Sequence, residues 1–264
     1  MSGKIVTLTT DFGLRDPYVA EMKAAILGIC PAATIVDITH EVEKFNVRMG
    51  AYILASAAQH FPEGTIHVAV VDPDVGTQRQ PLLIQTKRGF FIGPDNGLLT
   101  LAACMQGIIE TIQITNRKFM LPKISSTFHG RDVFAPAAAY IAAGIPPREF
   151  GQITIETVKP NFARVTHNRA MLIGEVLHID GFGNIISNIS DQKMRLIHLE
   201  KTCSVEVGDR QLRLEIGKTY GHSKLHQPLA LVGSHGYLEI AVNQGNAAET
   251  LGTKVGDRIR ITKS

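Results

Sequence analysis

The sequence predicts an α/β protein with an N-terminal α/β domain, whose sheet is mostly parallel, and a smaller C-terminal antiparallel β-barrel domain. Short apolar strands alternate with helical segments early in the chain, and after residue 170 short strands recur about every 8–12 residues. Alternating strands and helices are typical of parallel sheets covered by helices, whereas closely spaced strands are typical of barrels and sandwiches. The turn-rich segment 151–169 separates the two patterns. We therefore expect domains at 1–160 and 170–264.

The N-terminal domain begins with the order strand, helix, strand, helix, strand. Asp16 before Pro17 predicts a helix start, because aspartate caps helices and proline suits the first helical position. Asn46 is a second cap candidate, and Gly144 ends the last helix. The predicted elements are strands 5–9, 34–38 and 67–71, helices 18–30 and 47–60, a hairpin of 82–85 with 90–92, and helices ending at 105 and 143.

The C-terminal domain is predicted to contain seven short strands and its own core. The turn Gly208-Asp209-Arg210 joins two of them as a hairpin. These strands are expected at 171–179, 185–189, 203–207, 211–216, 229–232, 237–242 and 258–262.

The composition is that of an ordinary globular protein and argues against a nucleic-acid partner. Of 264 residues, 44% are hydrophobic and 19% are charged, and the formal net charge is +3. The lysines and arginines are scattered, so they do not form the basic stripe that follows nucleic-acid phosphates. We therefore expect no nucleic-acid partner.

Cysteine usage and the lack of a long apolar segment predict a cytoplasmic protein without membrane association. Cys30, Cys104 and Cys203 are far apart and lack CxxC spacing, so we expect buried free thiols in a reducing compartment. The longest weakly polar run, 135–145, is far shorter than the roughly 20 residues that span a bilayer. The N-terminus enters a strand without an apolar signal core.

The segment 70–79 is the most informative stretch, because an apolar strand runs directly into a carboxylate, a turn and an arginine. Open α/β sheets bind ligands at the carboxyl ends of their strands. Asp72 and Arg79 are close enough in the chain to pair, and His129 adds a group that exchanges a proton near neutral pH. Together they would hold and polarise a water molecule. A structural ion pair with an unrelated loop histidine is the alternative that sequence leaves open.

Other polar segments are also ambiguous when taken alone. Asp11 follows a strand and would accept two hydrogen bonds from a ribose diol, or it would cap its own turn. The turn 180–184 suits a purine, although such turns are usually simple hairpins, and Ser234 lies in a similar turn. The ten histidines show no metal-ligand spacing such as HExxH, so we expect no metal and no cofactor.

Six segments in this order resemble the S-adenosylmethionine hydroxide adenosyltransferase family, also called adenosine-forming S-adenosylmethionine hydrolases, which is related to the fluorinases and chlorinases. The resemblance covers nearly the whole chain. It implies the same two domains, hydrolysis of S-adenosyl-L-methionine (SAM) to adenosine and L-methionine, and a homotrimer with active sites between subunits. The segments are 9–13, 71–79, 91–99, 127–132, 180–185 and 234–243.

The resemblance also implies roles for single residues. Asp72, Arg79 and His129 match the catalytic residues that activate water, and Asp11 matches the carboxylate that binds the ribose diol. The remaining substrate-binding positions it implies are Asp16 and Asp180 near the methionine end, Phe182 and Asn184 at the adenine, and Ser234, Glu239 and the backbone at Val242 in the segment that closes over the ligand.

The chain departs from the pattern of the fluorinases and chlorinases in ways that disfavour halide as the nucleophile. The halogenating relatives need a hydroxyl-bearing residue at Gly130 and a tyrosine at Asp72, and the fluorinases carry a long insertion where this chain has the short stretch 86–91. Asp74 stands where the family pattern predicts glycine, which adds a negative charge to the turn.

Two other functions are alternatives to hydrolysis of SAM. The strand followed by Asp72-Pro73-Asp74 is superficially similar to magnesium-dependent aspartyl phosphatases, but that interpretation leaves the other five segments unexplained. A binding module for SAM or adenosine without turnover is the non-enzymatic alternative. It gives no reason for a proton-accepting histidine beside Asp72 and Arg79.

Overall fold

The computed structural model of the protein describes residues 4–197, 201–208 and 210–263. The chain forms two compact units, Met1–Pro160 and Asn161–Ser264. Within the described residues, no helix combines the length and the apolar character needed to cross a membrane.

The first unit is a seven-stranded mixed sheet with helices packed against it, in the strand order β2-β1-β3-β5-β4-β6-β7. The pairs β2–β1, β1–β3 and β3–β5 are parallel, and the pairs beyond β5 are antiparallel. The predicted α/β class is therefore confirmed, with a sheet that is parallel from β2 to β5 and antiparallel beyond β5. The elements are β1 Ile5–Thr10, α1 Tyr18–Ile29, β2 Thr34–Thr39, α2 Val47–Ala58, β3 Thr65–Val70, β4 Pro81–Thr86, β5 Gly89–Pro94, α3 Thr100–Gln106, β6 Ile108–Ile114, α4 Ala135–Ala142 and β7 Gly151–Ile153.

The centre of this sheet explains where the candidate carboxylates lie. β3 is buried along its whole length between β1 and β5, and Leu8 and Val68 are fully buried. Each such side chain contributes about 1.5–3 kcal/mol by leaving water. Thr10 at the end of β1 pairs with Val70 at the end of β3. Because the strands are parallel, the segments that follow them, which carry Asp11 and Asp72, leave the sheet at the same edge.

The two predicted helix caps have different outcomes. Asn46 caps α2, since its side chain accepts a hydrogen bond from the Met49 N–H at 3.0 Å. The interpretation of Asp16 as a cap is wrong, because Pro17 occupies the N-cap position of α1 and no side chain caps this helix. The Pro17 carbonyl already accepts the first helical N–H, from Glu21 at 2.9 Å, so the fixed φ of proline starts the helix without Asp16.

The second unit is an antiparallel sheet that nearly closes into a barrel, in the order β12-β11-β15-β9-β10-β14-β13 with β8 beside β9. A bridge between Ile216 and Ala230 brings the chain after β12 to the other edge strand, β13. The predicted barrel is confirmed; Asp209 of the predicted hairpin turn lies outside the described residues. The elements are β8 Thr166–His167, β9 Met171–Ile179, β10 Ile185–Ser190, α5 Asp191–Met194, β11 Thr202–Val207, β12 Arg210–Glu215, β13 Pro228–Val232, β14 Tyr237–Val242, α6 Ala247–Leu251 and β15 Arg258–Lys263.

The three cysteines are free thiols, but only two of them are buried. Cys30 and Cys203 lie in the cores of the first and second units, respectively. Cys104 is exposed, so the expectation that all three are buried is wrong. Cys104 lies in α3 after the buried run Leu101–Ala103, and it falls on the face that this helix turns to solvent.

Candidate active site

A cavity of about 350 Å³ lies in the first unit, next to the end of β3. Asp72 and His129 contribute polar groups to its wall. Three aromatic rings also line it, and their centroids are 5.2 to 5.8 Å apart in tilted and edge-to-face pairs. The wall therefore combines an apolar aromatic surface with a few polar groups, as is usual for small-molecule sites. The three rings are those of Phe12, Tyr18 and Phe128.

Asp72 and Arg79 form a bidentate ion pair at this cavity. Arg79 Nε donates to Asp72 Oδ1 at 2.9 Å and a terminal guanidinium nitrogen donates to Oδ2 at 2.5 Å. The Asp72 side chain is 5% exposed and that of Arg79 is 7% exposed. The guanidinium also lies over the Phe134 ring at 5.3 Å. Arg79 is thus held from two sides, and it fixes the carboxylate in one orientation.

His129 completes the arrangement through the same guanidinium. A terminal nitrogen of Arg79 lies 2.8 Å from His129 Nδ1. Because arginine only donates, Nδ1 must accept, which places the imidazole proton on Nε2 and leaves the ring neutral. Burial and the charge of Arg79 hold the pKa of His129 below its ordinary value, although Asp72 and Asp132 act in the opposite direction. In this arrangement the His129 Nε2–H is available to donate a hydrogen bond.

The loop between Asp72 and Arg79 depends on Gly76. Gly76 has a φ of +79°, and a Cβ built on it would lie 2.1 Å from the Ser126 carbonyl oxygen. Only glycine permits both this backbone conformation and this approach, which brings the Asp72 loop against the segment that leads to His129. Asp74, the departure from the family pattern, is exposed in the same loop.

A charged network behind His129 was missed by the sequence analysis. Asp132 is fully buried and accepts the Ser125 N–H at 2.7 Å, while Arg131 Nε donates to it at 2.7 Å. Arg131 also bonds Glu21 of α1 at 2.6 Å, and both of these residues line the cavity. Arg131 and Asp132 lie in the π-helical turn Gly130–Phe134, and Glu21 is bonded to this turn through Arg131. Such turns are frequent at functional sites. The signal available in the sequence was the Arg-Asp pair placed just before a strongly apolar helix.

Asp11 lies at the end of β1, where it organises a neighbouring loop. Its side chain is buried, and Oδ2 accepts the Phe45 N–H at 2.9 Å, while Lys44 Nζ bonds the Asp11 carbonyl. Phe45 has a φ of +65° and its side chain is 69% exposed. A non-glycine residue in this conformation is strained, and such strain often marks a binding site. Asp16 is exposed in the segment before α1.

In the second unit, Asp180 and Asn184 are bonded to each other in the turn between β9 and β10. Asp180 Oδ1 accepts the N–H groups of Phe182 and Asn184, both at 2.9 Å, and Oδ2 accepts from Asn184 Nδ2 at 2.9 Å. Both carboxylate oxygens thus serve the turn itself. Asn184 is buried, whereas the Phe182 side chain is 82% exposed.

The remaining candidates lie on or beside β14. Glu239 is buried, and its Oε1 accepts the Tyr220 hydroxyl at 2.8 Å. Burial raises the pKa of Glu239, the Tyr220 hydrogen bond lowers it, and the negative charge of Asp180 raises it further. Ser234 is exposed in the turn before β14, and Val242 is buried at the end of this strand, where its carbonyl accepts the Gly245 N–H at 3.0 Å.

Comparison with known proteins places this geometry in a family. The model of the SAM hydroxide adenosyltransferase N-terminal domain matches residues 6–151, and that of the C-terminal domain matches residues 174–260. A protein named (R)-S-adenosyl-L-methionine hydrolase from Thermus thermophilus is 39% identical over 97% of this chain and 98% of its own length. A protein of the same name from Methanocaldococcus jannaschii is 38% identical over 97% of this chain and 95% of its own length.

More distant proteins and solved structures agree with this assignment. A fluorinase from an Actinoplanes species is 28% identical over 98% of both chains. The crystal structure of an uncharacterized conserved protein from Thermotoga maritima superposes with a TM-score of 0.85, at 39% identity over 98% of this chain and 100% of that one. Because both domain models match and the hydrolases align over almost their full length, the chain belongs to the SAM hydroxide adenosyltransferase family.

Proposed function

We propose that this protein hydrolyses SAM to adenosine and L-methionine by in-line attack of a water molecule on C5′. The observation that carries the proposal is the Asp72–Arg79–His129 cluster, in which Arg79 fixes a carboxylate and a neutral imidazole beside one cavity. The full-length relatives named as SAM hydrolases support the same reaction.

The cluster supplies what attack by water requires. The His129 Nε2–H donates to the water oxygen and orients it, and Asp72 accepts a water proton as the new C–O bond forms. The C5′–S bond breaks and its electron pair stays on sulfur, so methionine leaves as a neutral thioether. A carboxylate is a sufficient base, because water becomes strongly acidic as it bonds to carbon. Such positioned proton transfer contributes about 10²- to 10⁴-fold.

The aromatic wall fits the charge of the substrate. The rings of Phe12, Tyr18 and Phe128 line the cavity beside the cluster. The face of an aromatic ring attracts a cation within about 6 Å of its centroid. A sulfonium is such a cation, and it becomes neutral as the bond to C5′ breaks.

The other family positions are proposed as the ligand-binding residues. Asp11 binds the ribose diol, and Asp16 lies toward the methionine end. Asp180 lies near the methionine ammonium, while its carboxylate oxygens also hold its own turn. The exposed ring of Phe182 and the amide of Asn184 then meet the adenine. The segment that closes over the ligand contains Ser234, Glu239 and Val242.

Isotope labelling tests the reaction directly. Incubation with SAM in ¹⁸O-water should give adenosine labelled in its 5′-hydroxyl, together with unlabelled methionine. Intact SAM that remains bound would instead support a binding module, and release of phosphate from a phosphate ester would support the phosphatase alternative. Addition of chloride should give no halogenated nucleoside, because Gly130 offers no hydroxyl to a halide. The position also has little room for a larger residue, since a Cβ there would lie 3.2 Å from Phe128 Cε2.

We propose that the reaction needs no metal and no cofactor. Turnover should then be unchanged after treatment with EDTA and gel filtration. Loss of activity that Mg²⁺ restores would contradict the mechanism.

We further propose that the protein is cytoplasmic and forms a homotrimer, in which catalytic residues of one subunit act with binding residues of the next. The free thiols support a reducing compartment. The assembly is tested by mixing equal amounts of the Asp72→Asn and Asn184→Ala variants after dissociation and assaying at a SAM concentration far below the raised KM of the Asn184 variant, where neither variant alone turns over appreciably. Random reassociation would restore about a quarter of the sites if subunits share them, whereas unshared sites would stay inactive. Sedimentation measures the trimer itself.

A further inference from the structure

The turn Asp95-Asn96-Gly97 after β5 bonds both ends of the loop that carries Asp72 and Arg79. Asn96 Nδ2 donates to the carbonyl oxygen of Val71, the residue before Asp72, at 2.8 Å. The backbone N–H of Asp95 donates to the carbonyl oxygen of Gln80, the residue after Arg79, also at 2.8 Å. Two successive residues of one turn thus hold the two ends of the loop.

The turn is itself fixed on its other side. Asn96 Oδ1 accepts the N–H of the fully buried Leu98 at 3.1 Å. Asp95 Oδ1 accepts the Val158 N–H at 2.9 Å. Gly97 has a φ of +93° and packs so closely that a Cβ would lie 2.6 Å from Pro160 Cγ. A shift at the loop ends would therefore require this whole turn to move.

We propose that Asn96 is a positioning residue, which sets the geometry of the Asp72–Arg79–His129 cluster by holding the Val71 carbonyl. This inference rests on the proposed function. The Asn96 amide does not line the cavity, and it acts one peptide unit away from Asp72. Without it, the backbone at Asp72 gains freedom, while the Arg79 end of the loop stays held by the bond from Asp95 to the Gln80 carbonyl and the guanidinium stays over Phe134. A misplacement of about 1 Å at a reacting group costs on the order of 10²-fold in rate.

Asn116 provides a matched control in the same unit. Its Nδ2 also donates to a distant backbone carbonyl at 2.8 Å, that of Glu149, and its Oδ1 also accepts an N–H two residues along, from Lys118, at 3.1 Å. Both asparagines are half-buried. The variants Asn96→Ala and Asn116→Ala therefore remove the same two kinds of hydrogen bond, in one case beside the cluster and in the other away from it.

The test compares these variants in melting temperature, kcat and KM. We expect similar losses of melting temperature, with kcat lower by about 10- to 100-fold only in Asn96→Ala and KM nearly unchanged. If Asn96→Ala does not fold, Asn96→Ser replaces it, because a serine hydroxyl satisfies the turn but is too short to reach Val71. A kcat for the Asn96 variant equal to that of Asn116→Ala would overturn the proposal.

A spectroscopic readout separates this inference from the proposed function. ¹⁵N NMR of the His129 ring should show protonation at Nε2 in the wild type and in Asn116→Ala, and a mixture of tautomers in the Asn96 variant. Unchanged His129 signals in that variant would overturn the positioning role, even if the reaction is confirmed. If the wild type fails to hydrolyse SAM, the proposed function is refuted, but the NMR comparison of His129 between the wild type and the two variants remains valid.

Discussion

In the first unit, Arg79 is bonded to both Asp72 and His129, and the side chains of Asp72 and Arg79 are at most 7% exposed. In the second unit, the Asp180–Asn184 turn is also internally bonded, yet the Phe182 ring that it carries is 82% exposed. The groups proposed for the chemistry are thus arranged before any ligand arrives, whereas an apolar group proposed for binding remains in solvent. Preorganised polar groups favour a fast chemical step, while apolar surface buried on binding contributes affinity.

Because of this difference, variants of the Asp72–Arg79–His129 cluster should lower kcat and variants of the turn that carries Phe182 should raise KM. The largest effect is expected for Asp72→Asn, which removes the proton acceptor while leaving a side chain of the same shape. We expect kcat to fall by about 10²- to 10⁴-fold with SAM affinity near that of the wild type. Single-turnover rates and calorimetric titration measure the two quantities separately.

Asp74→Asn is the control for this variant, because it removes a carboxylate from the same loop at an exposed position. It should keep nearly full activity. Equal activity of wild type and Asp72→Asn would remove Asp72 from the mechanism, and an equal loss in both variants would show that only the net charge of the loop matters.

A smaller loss is expected for Gly76→Ala, which tests whether the loop geometry is needed. The added Cβ meets the Ser126 carbonyl in a backbone conformation with positive φ. The strain should lower the free energy of unfolding by about 1–3 kcal/mol, and the displaced loop should lower kcat by about 10²-fold. Gly28→Ala in α1 is the control, since a Cβ there meets no atom within 4 Å. A stable, fully active Gly76→Ala would mean that the loop tolerates movement.

The same comparison shows which features of the fold and of the candidate site the sequence predicts. Most strands and the longer helices of both units follow from local patterns, because alternation and turn residues act over a few positions. The patterns did not predict β6, β7, β8, α5 and α6. The Asp72–Arg79 pair also follows, since seven residues that include a glycine turn bring the two ends together. The contact with His129 does not, because it depends on the loop packing at Gly76. The position of the proton on His129 and the hydrogen bond from Asn96 to Val71 could not be predicted either, because their partners are distant in the chain.

In the second unit, Phe182→Ala should act on binding. The side chain is mostly exposed, so its loss should leave the melting temperature unchanged. Stacking of a base on an aromatic ring contributes about 1–3 kcal/mol, which corresponds to a rise in KM of about 10-fold or more with kcat little changed. Leu196→Ala, another exposed apolar position of this unit, should alter neither constant. A loss confined to kcat would contradict the division between the units.

The smallest effect concerns protonation, which also differs between the units. Burial and the charge of Arg79 lower the pKa of His129, whereas burial and the charge of Asp180 raise the pKa of Glu239. The folded His129 therefore binds its proton less readily than the unfolded chain. Its contribution to stability is fully present above the ordinary value of 6.5 and is lost as the pH falls through the lower folded value.

NMR titration of the His129 ring should accordingly give a midpoint below 6.5. Arg79→Met removes the cation that opposes protonation, so the midpoint should rise. Asp72→Asn removes a favourable negative charge, so the midpoint should fall. The two variants shift one signal in opposite directions, which a general loosening of the loop would not do. A wild-type midpoint above the ordinary value would show that Nδ1 does not accept from Arg79, and the donor role of His129 would then be wrong.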